Sequence, residues 1–191
     1  MNIPVFESSR IKFRLFDEFF CDDVFRLYSD IRTRPLWSGD REFLCSFQFR
    51  DYIYRKIDRD YHTFFIAFNE SNHVIGVVFS NKYDIKNGFL YTTVALRYEY
   101  MKTGLGAEAG LVYCDFLFQN YPIRKIYTTV FSYNELSKNT MYSAGFNIEG
   151  TLKQHVFVNG KYHDLNILSV FKNEFYSKHK DFLAVMKEEQ L

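Results

Sequence analysis

Two glycines, Gly104 and Gly106, lie between a β-rich run ending near Leu96 and a segment where Leu105, Ala109, Val112 and Phe116 recur at helical spacing. A strand that feeds a glycine-bearing loop and then a helix can hold an anion. The glycines let the backbone close on a ligand, and the helix's first N–H groups and positive dipole end face it. Phosphate is the expected anion. The loop is neither G-x-x-x-x-G-K-S/T nor G-x-G-x-x-G. Further reactive groups lie near the C-terminus. Asn159-Gly160 reads as a two-residue hairpin turn. With Val158 opposite Lys161, counting back sets His155 across from Asp164 on one sheet face. A carboxylate beside an imidazole favours the imidazolium and orients the ring for proton transfer; a structural cross-strand pair is the alternative. His62, His73, His163 and His179 are scattered without metal-ligand spacing, so no metal is expected.

The elements that must position these groups follow from periodicity and breakers. Ile11 to Leu15 alternates as a first strand. A helix starts at Asp22 or Asp23 and runs to about Ser29; Pro35 with Ser38-Gly39-Asp40 then breaks the chain, and Glu42 to Asp58 reads as a longer helix. Thr63 to Phe68 and Val74 to Ser80 form a hairpin around Asn69 to His73. Phe89 to Leu96, the glycine loop and a helix to about Gln119 come next, then a strand over Lys125 to Phe131. Asn134 starts a helix that Gly145 ends, and two strands meet at Asn159-Gly160. The segment from Glu174 to Glu188 is amphipathic, with Phe175, His179, Phe182, Leu183 and Met186 on one side, and is expected to pack on the domain or on a second subunit. The order β-α-α-β-β-β-α-β-α-β-β implies a single α/β (α+β) domain over residues 1–191, its sheet mixed but largely antiparallel.

Composition narrows the function classes. A chain of 191 residues suffices for one domain with a sizeable core. Hydrophobic residues at 47% and charged ones at 25% are ordinary globular values. A net charge of +1 leaves no electrostatic footprint for nucleic acid or an anionic membrane. No apolar run approaches the roughly 20 residues of a membrane span, and Met1 to Arg10 lacks a signal-peptide core. Cys21, Cys45 and Cys114 are odd in number and far apart, which fits reduced thiols and a cytoplasmic location. The 22 Phe and 15 Tyr are read as compositional bias rather than a stacking surface.

Three stretches carry a resemblance to a known family. Met101-Lys102-Thr103-Gly104-Leu105-Gly106 resembles the acyl-CoA loop of the GCN5-related N-acetyltransferases, Gln/Arg-x-x-Gly-x-Gly/Ala, with Met101 departing at the first position. Asn134-x-x-Ser137 with Gly145-Phe146 resembles the family's fourth-helix signature. Glu149 to Gln154 and Phe157 to Asp164 are similar to the C-terminal hairpin of its RimJ/RimL-type branch. The resemblance runs from about Ser9 to Phe171 and matches the element order.

It implies that acetyl-CoA lies between the strand ending near Leu96 and the strand starting near Lys125. The backbone of Val94, Ala95 and Leu96 would pair with pantetheine and donate to the oxyanion. The amides of Lys102, Thr103, Gly104, Leu105, Gly106 and Ala107 would hold the pyrophosphate, with Asn134 touching the cofactor. Many relatives protonate the leaving thiolate with a Tyr seven residues after the helix Asn. Position 141 is Met, Tyr142 is rotated by roughly 100° on the helix, and Ser137 becomes the first choice. Val156 stands where ribosomal-type relatives carry Glu, which leaves His155 with Asp164, Glu99, a relayed water or desolvation as the base. The function implied is acetyl transfer to a primary amine, with a lean toward a small molecule (amino sugar, polyamine or aminoglycoside). A protein N-terminus and a non-catalytic acyl-CoA-binding module are the alternatives. Acceptor specificity is expected in Trp37 to Phe49, including Asp40, Arg41 and Glu42, and in the final hairpin. The C-terminal helix and exposed-looking aromatics allow a homodimer.

Overall fold

The computed structural model describes residues 3–37 and 43–188. Asp40, Arg41 and Glu42 lie outside the described residues. The elements are β1 (Phe6–Glu7), β2 (Ile11–Leu15), α1 (Cys21–Ser29), α2 (Arg34–Trp37), α3 (Ser46–Arg59), β3 (Tyr61–Asn69), β4 (Val74–Asp84), β5 (Phe89–Leu96), α4 (Leu105–Asn120), β6 (Lys125–Phe131), α5 (Glu135–Ser143), β7 (Asn147–Val158), β8 (Lys161–Phe171) and α6 (Lys172–Glu188).

The strands form one sheet in the order β1-β2-β3-β4-β5-β6-β8-β7, antiparallel except where β5 meets β6. That parallel seam follows from connectivity, because the chain leaves β5 through α4 before returning as β6. The sheet buries a core on each face. On one, α4 and α6 cover Phe13, Leu90, Tyr113, Leu117, Phe118, Val170 and Phe175. On the other, α1 and α3 cover Leu27, Tyr28, Phe49, Ile53, Phe68 and Val77. Much of the aromatic content is therefore core.

Differences from the periodicity reading have local causes. Pro35 does not simply break the chain; it sits in the first turn of α2, where the missing N–H costs no helical bond. Helix α3 begins at Ser46 rather than Glu42, since the Gln48 side chain accepts the Cys45 N–H at 3.2 Å and fixes the start. Strand β1 adds an edge, its Phe6 ring stacked on Phe13 at 4.4 Å and Phe116 at 4.3 Å. Helix α6 leaves helical geometry at His179, whose Nε2 lies 3.0 Å from the Ala144 carbonyl oxygen. Its Phe175 and Leu183 enter the domain's own core, whereas Phe182 is 36% exposed and the side chain of Met186 lies outside the described ones.

The hairpin corrects one expectation. Val158 does pair with Lys161, and Val156 opposes His163, but the next paired residues are Leu152 and Leu165. Lys153, Gln154 and His155 thus face Asp164 alone, a bulge of two extra residues with Gln154 at φ +48°. The Asp164 carboxylate accepts from the Gln154 N–H and from Lys153 Nζ, both at 2.9 Å. The expected His155–Asp164 partnership is replaced by these two bonds, and His155 is exposed.

Candidate active site

Strands β5 and β6 pair only over Phe89–Lys125, Leu90–Ile126 and Tyr91–Tyr127, then part. Hydroxyls close the vertex: Thr128 Oγ1 donates to the Thr92 carbonyl at 3.1 Å and Thr92 Oγ1 to the Tyr127 carbonyl at 3.4 Å. On its other edge β5 stays paired with β4, Val78 opposite Val94 and Gly76 opposite Leu96. Because Arg97 N donates to the Ile75 carbonyl at 2.8 Å, alternation directs the backbone groups of Ala95 to β4 and those of Val94 and Leu96 into the cleft. Two backbone positions are left where a ligand can complete the sheet. Ala95 can contribute only through its surface, since its own N–H and C=O serve the β4 ladder.

At the top of this edge the chain turns into α4. Lys102 and Gly104 have left-handed backbones, φ +62° and +86°. Gly104 stands at the N-cap and, lacking a side chain, gives no cap to the helix N–H groups behind it. A Cβ at Gly106 would lie 3.2 Å from Leu96 Cδ1, so glycine there lets helix and strand close together. Thr103 holds the loop instead, its hydroxyl donating to the Tyr100 carbonyl at 2.7 Å. The Leu105 N–H is taken by Thr103 Oγ1 at 3.4 Å, and the amides of Gly106 and Ala107, the left-handed turns and a neighbouring lysine fit a diphosphate.

Facing α4 across the cleft is α5. Asn134 caps it, Oδ1 accepting from Ser137 N at 3.1 Å, while Nδ2 donates to the Leu36 carbonyl at 3.1 Å. The neighbouring Tyr133 hydroxyl donates to the Pro35 carbonyl. Together these bonds strap α2 over the cleft. A cavity of about 400 Å³ results, lined by Val94, Ala95, Leu96, Met101, Lys102, Gly104, Gly106, Ala107, Ser137 and Met141, with Thr33, Leu36 and Trp37 from the strap. A narrower cavity of about 90 Å³ continues it toward the vertex.

Most of the expected cofactor residues therefore converge. Thr103 and Leu105 support the loop without lining the cavity, and Asn134 is buried as a brace. Ser137 lines both cavities, and among the described residues its hydroxyl has no partner. Met141 lines both as well, whereas Tyr142 is 40% exposed. Glu99 is exposed, and neither it nor His155 nor Asp164 lines either cavity. Burial of Val156 behind the bulge brings His163 inward instead, its ring edge-on to Tyr133 at 4.8 Å. Trp37, the first residue of the stretch expected to set acceptor specificity, lines both cavities. The residues missed are Thr33, Leu36 and Tyr133. The aromatic Tyr133 beside the helix-capping Asn134 was their one visible signal. Among the described residues no group of His, Cys, Asp and Glu could hold a metal ion, and no helix is long and apolar enough to cross a membrane.

The family model described as an acetyltransferase (GNAT) domain matches residues 48–167. Over 130 residues the chain is 28% identical to the SPbeta prophage-derived uncharacterized N-acetyltransferase YokL of Bacillus subtilis, covering 68% of this chain and 73% of that protein. It is 29% identical over 82 residues to the spermidine N(1)-acetyltransferase of Escherichia coli, 43% of this chain and 44% of that one. The Vibrio cholerae spermidine N-acetyltransferase, solved in complex with CoA and spermine, superposes with a TM-score of 0.80 at 17% identity over 87% of this chain and 98% of its own. A GCN5-related N-acetyltransferase from Brucella melitensis gives 0.78 at 19% identity, over 94% and 83%. At those identities the likeness to the solved structures is one of fold. With the family match spanning more than half of its length, this chain belongs to the GNAT acetyltransferases and is an acetyl-CoA-dependent N-acetyltransferase.

Proposed function

We propose that the protein acetylates the primary amine of a small molecule by direct attack within a ternary complex. The free edge of β5 at Val94 and Leu96 carries the reading, because it offers fixed backbone donors where an acyl oxygen gains charge. Acetyl-CoA supplies the activated thioester. Ser137 is the proposed proton donor to the departing sulfur, a role its free hydroxyl on the cavity wall supports. An alkyl ammonium has a pKa of about 10, so the acceptor must lose a proton before attack. Among the described residues the larger cavity has no carboxylate in its wall, and Lys102 is its one formal charge. Desolvation beneath Leu36 and Trp37 is the proposed means of favouring the neutral amine.

Similarity to proteins named as spermidine acetyltransferases favours a small amine as acceptor. The hairpin from Glu149 to Asp164 keeps the RimJ/RimL-type branch in our reading of its ancestry. Thiol release from acetyl-CoA against amino sugars, polyamines, aminoglycosides and short peptides tests the proposal. Turnover with one small-amine class is expected, and turnover with peptides alone would overturn it. For Ser137→Ala, kcat is expected to fall by about 10²-fold, the lower range for a positioned acid. Its melting temperature should hold, since no hydrogen bond of the hydroxyl is lost.

A further inference from the structure

The narrow cavity at the vertex has more room than an acetyl group needs. It lies where β5 and β6 part, between α4 and α5, and is reached from the acyl-CoA cleft past Val94, Ala107 and Met141, which line both spaces. Its volume of about 90 Å³ compares with roughly 10–15 Å³ for one water-sized probe, so it holds several heavy atoms rather than one methyl.

Its inner wall is Val94, Gly110, Tyr113, Cys114, Val130 and Phe146. Three hydroxyls on this wall, those of Tyr113, Thr92 and Thr128, are already engaged. The Tyr113 hydroxyl shares a 2.5 Å hydrogen bond with Thr63, and Thr92 and Thr128 donate to carbonyls. Cys114 is buried, its thiol pushed up to about 12 by desolvation, so it presents a neutral sulfur. The Ser137 hydroxyl and Trp37 Nε1, unpartnered among the described residues, lie in the part of the wall shared with the acyl-CoA cleft. Deeper in, beside Gly110, Cys114, Val130 and Phe146, water finds few partners and an alkyl chain fits. Gly110 keeps it open: a Cβ there would point into space with Val94 Cγ2 at 3.8 Å as its only close neighbour.

We infer that this cavity is an acyl pocket and that the enzyme also accepts short linear acyl-CoA thioesters, propionyl and butyryl, with the chain lodged beside Gly110 and Cys114. The inference rests on the acetyl-transfer reading. The chemistry is unchanged: the amine nitrogen bonds to the thioester carbonyl carbon, the C–S bond breaks, and the CoA sulfur leaves with the proton the amine gives up. The products are an N-acyl amide and free CoA.

Calorimetric titration with CoA, acetyl-CoA, propionyl-CoA and butyryl-CoA tests it without knowledge of the acceptor. Each added methylene is expected to tighten binding about fourfold, the equivalent of about 0.8 kcal/mol. Gly110→Ala should shrink that ratio, and Gly110→Leu should invert it so that acetyl-CoA binds tightest. Alanine is favoured in a helix interior, so Gly110→Ala is a folded control, checked by its melting temperature. Longer thioesters binding no tighter than acetyl-CoA, or ratios indifferent to both substitutions, would overturn the acyl pocket while leaving acetyl transfer standing. Failure of acetyl-CoA itself to bind would remove both.

Discussion

The side-chain amide of Asn134 donates to the main-chain carbonyl of Leu36 at 3.1 Å, joining residues 98 positions apart. The same side chain caps α5 through Ser137 N. Asn134→Ala should cost about 1 kcal/mol for the cap and about as much again for the buried tie. Asn134→Ser retains a capping oxygen but is too short to reach Leu36. Its melting temperature should therefore fall less than that of the alanine variant, while KM for the amine rises in both. Equal KM values for Asn134→Ser and wild type would show that the strap does not shape the acceptor site.

Gly104 at φ +86° makes a second test. An alanine there adopts a left-handed backbone at about 1–2 kcal/mol, or the loop shifts. Either way, acetyl-CoA affinity of Gly104→Ala should drop by roughly tenfold, since 1.4 kcal/mol is one decade. Titration of acetyl-CoA against the purified variant measures it.

A third concerns the β7 bulge. The Gln154 N–H, then Lys153, hold the Asp164 carboxyl below the usual carboxylate range. A depressed folded pKa stabilises above the unfolded value of about 3.9, and that contribution disappears as pH falls through the folded pKa. Asp164→Asn should melt below wild type at neutral pH, and the gap should close in strong acid. Because the carboxylate is occupied here, His155→Ala is expected to keep kcat within about twofold, well short of the loss of a general base.

Thiol labelling gives a fourth. Cys45 is exposed, whereas Cys21 and Cys114 are buried and their thiols pushed up by desolvation. At neutral pH one thiol should react quickly in the native protein and the other two only after unfolding. Three fast thiols would contradict the packing of α1 and α4.

Features that depend on neighbours in sequence were legible in the chain. Strand β6 runs from Lys125 to Phe131 as its β-formers indicate, Asn134 caps α5, and the Asn159-Gly160 turn sets Val158 against Lys161. The glycine loop was readable for the same reason, since its conformation is fixed by residue type. What depended on distant partners was hidden. Two extra residues in β7 leave no trace in its alternation, yet they undo the facing of His155 and Asp164. Pro35 reads as a breaker until Tyr133 and Asn134, just past the end of β6, are seen to hold α2. Asn134 is expected to cap its helix and touch the cofactor at once; the cap is there, and the added tie to the Leu36 carbonyl had no signal in the chain.

The short seam between β5 and β6 has a thermodynamic consequence. Three residue pairs join one half of the sheet to the other before the edges diverge. A thioester that fills the gap acts as an interstitial strand, so its binding energy is also energy of cohesion between the halves. By mass action, a ligand at about a hundred times its dissociation constant adds about 2.7 kcal/mol to the folded state. The resilience of this protein to heat or proteolysis is thereby indexed to the acyl-CoA around it, and starvation for that metabolite would soften the enzyme as well as idle it.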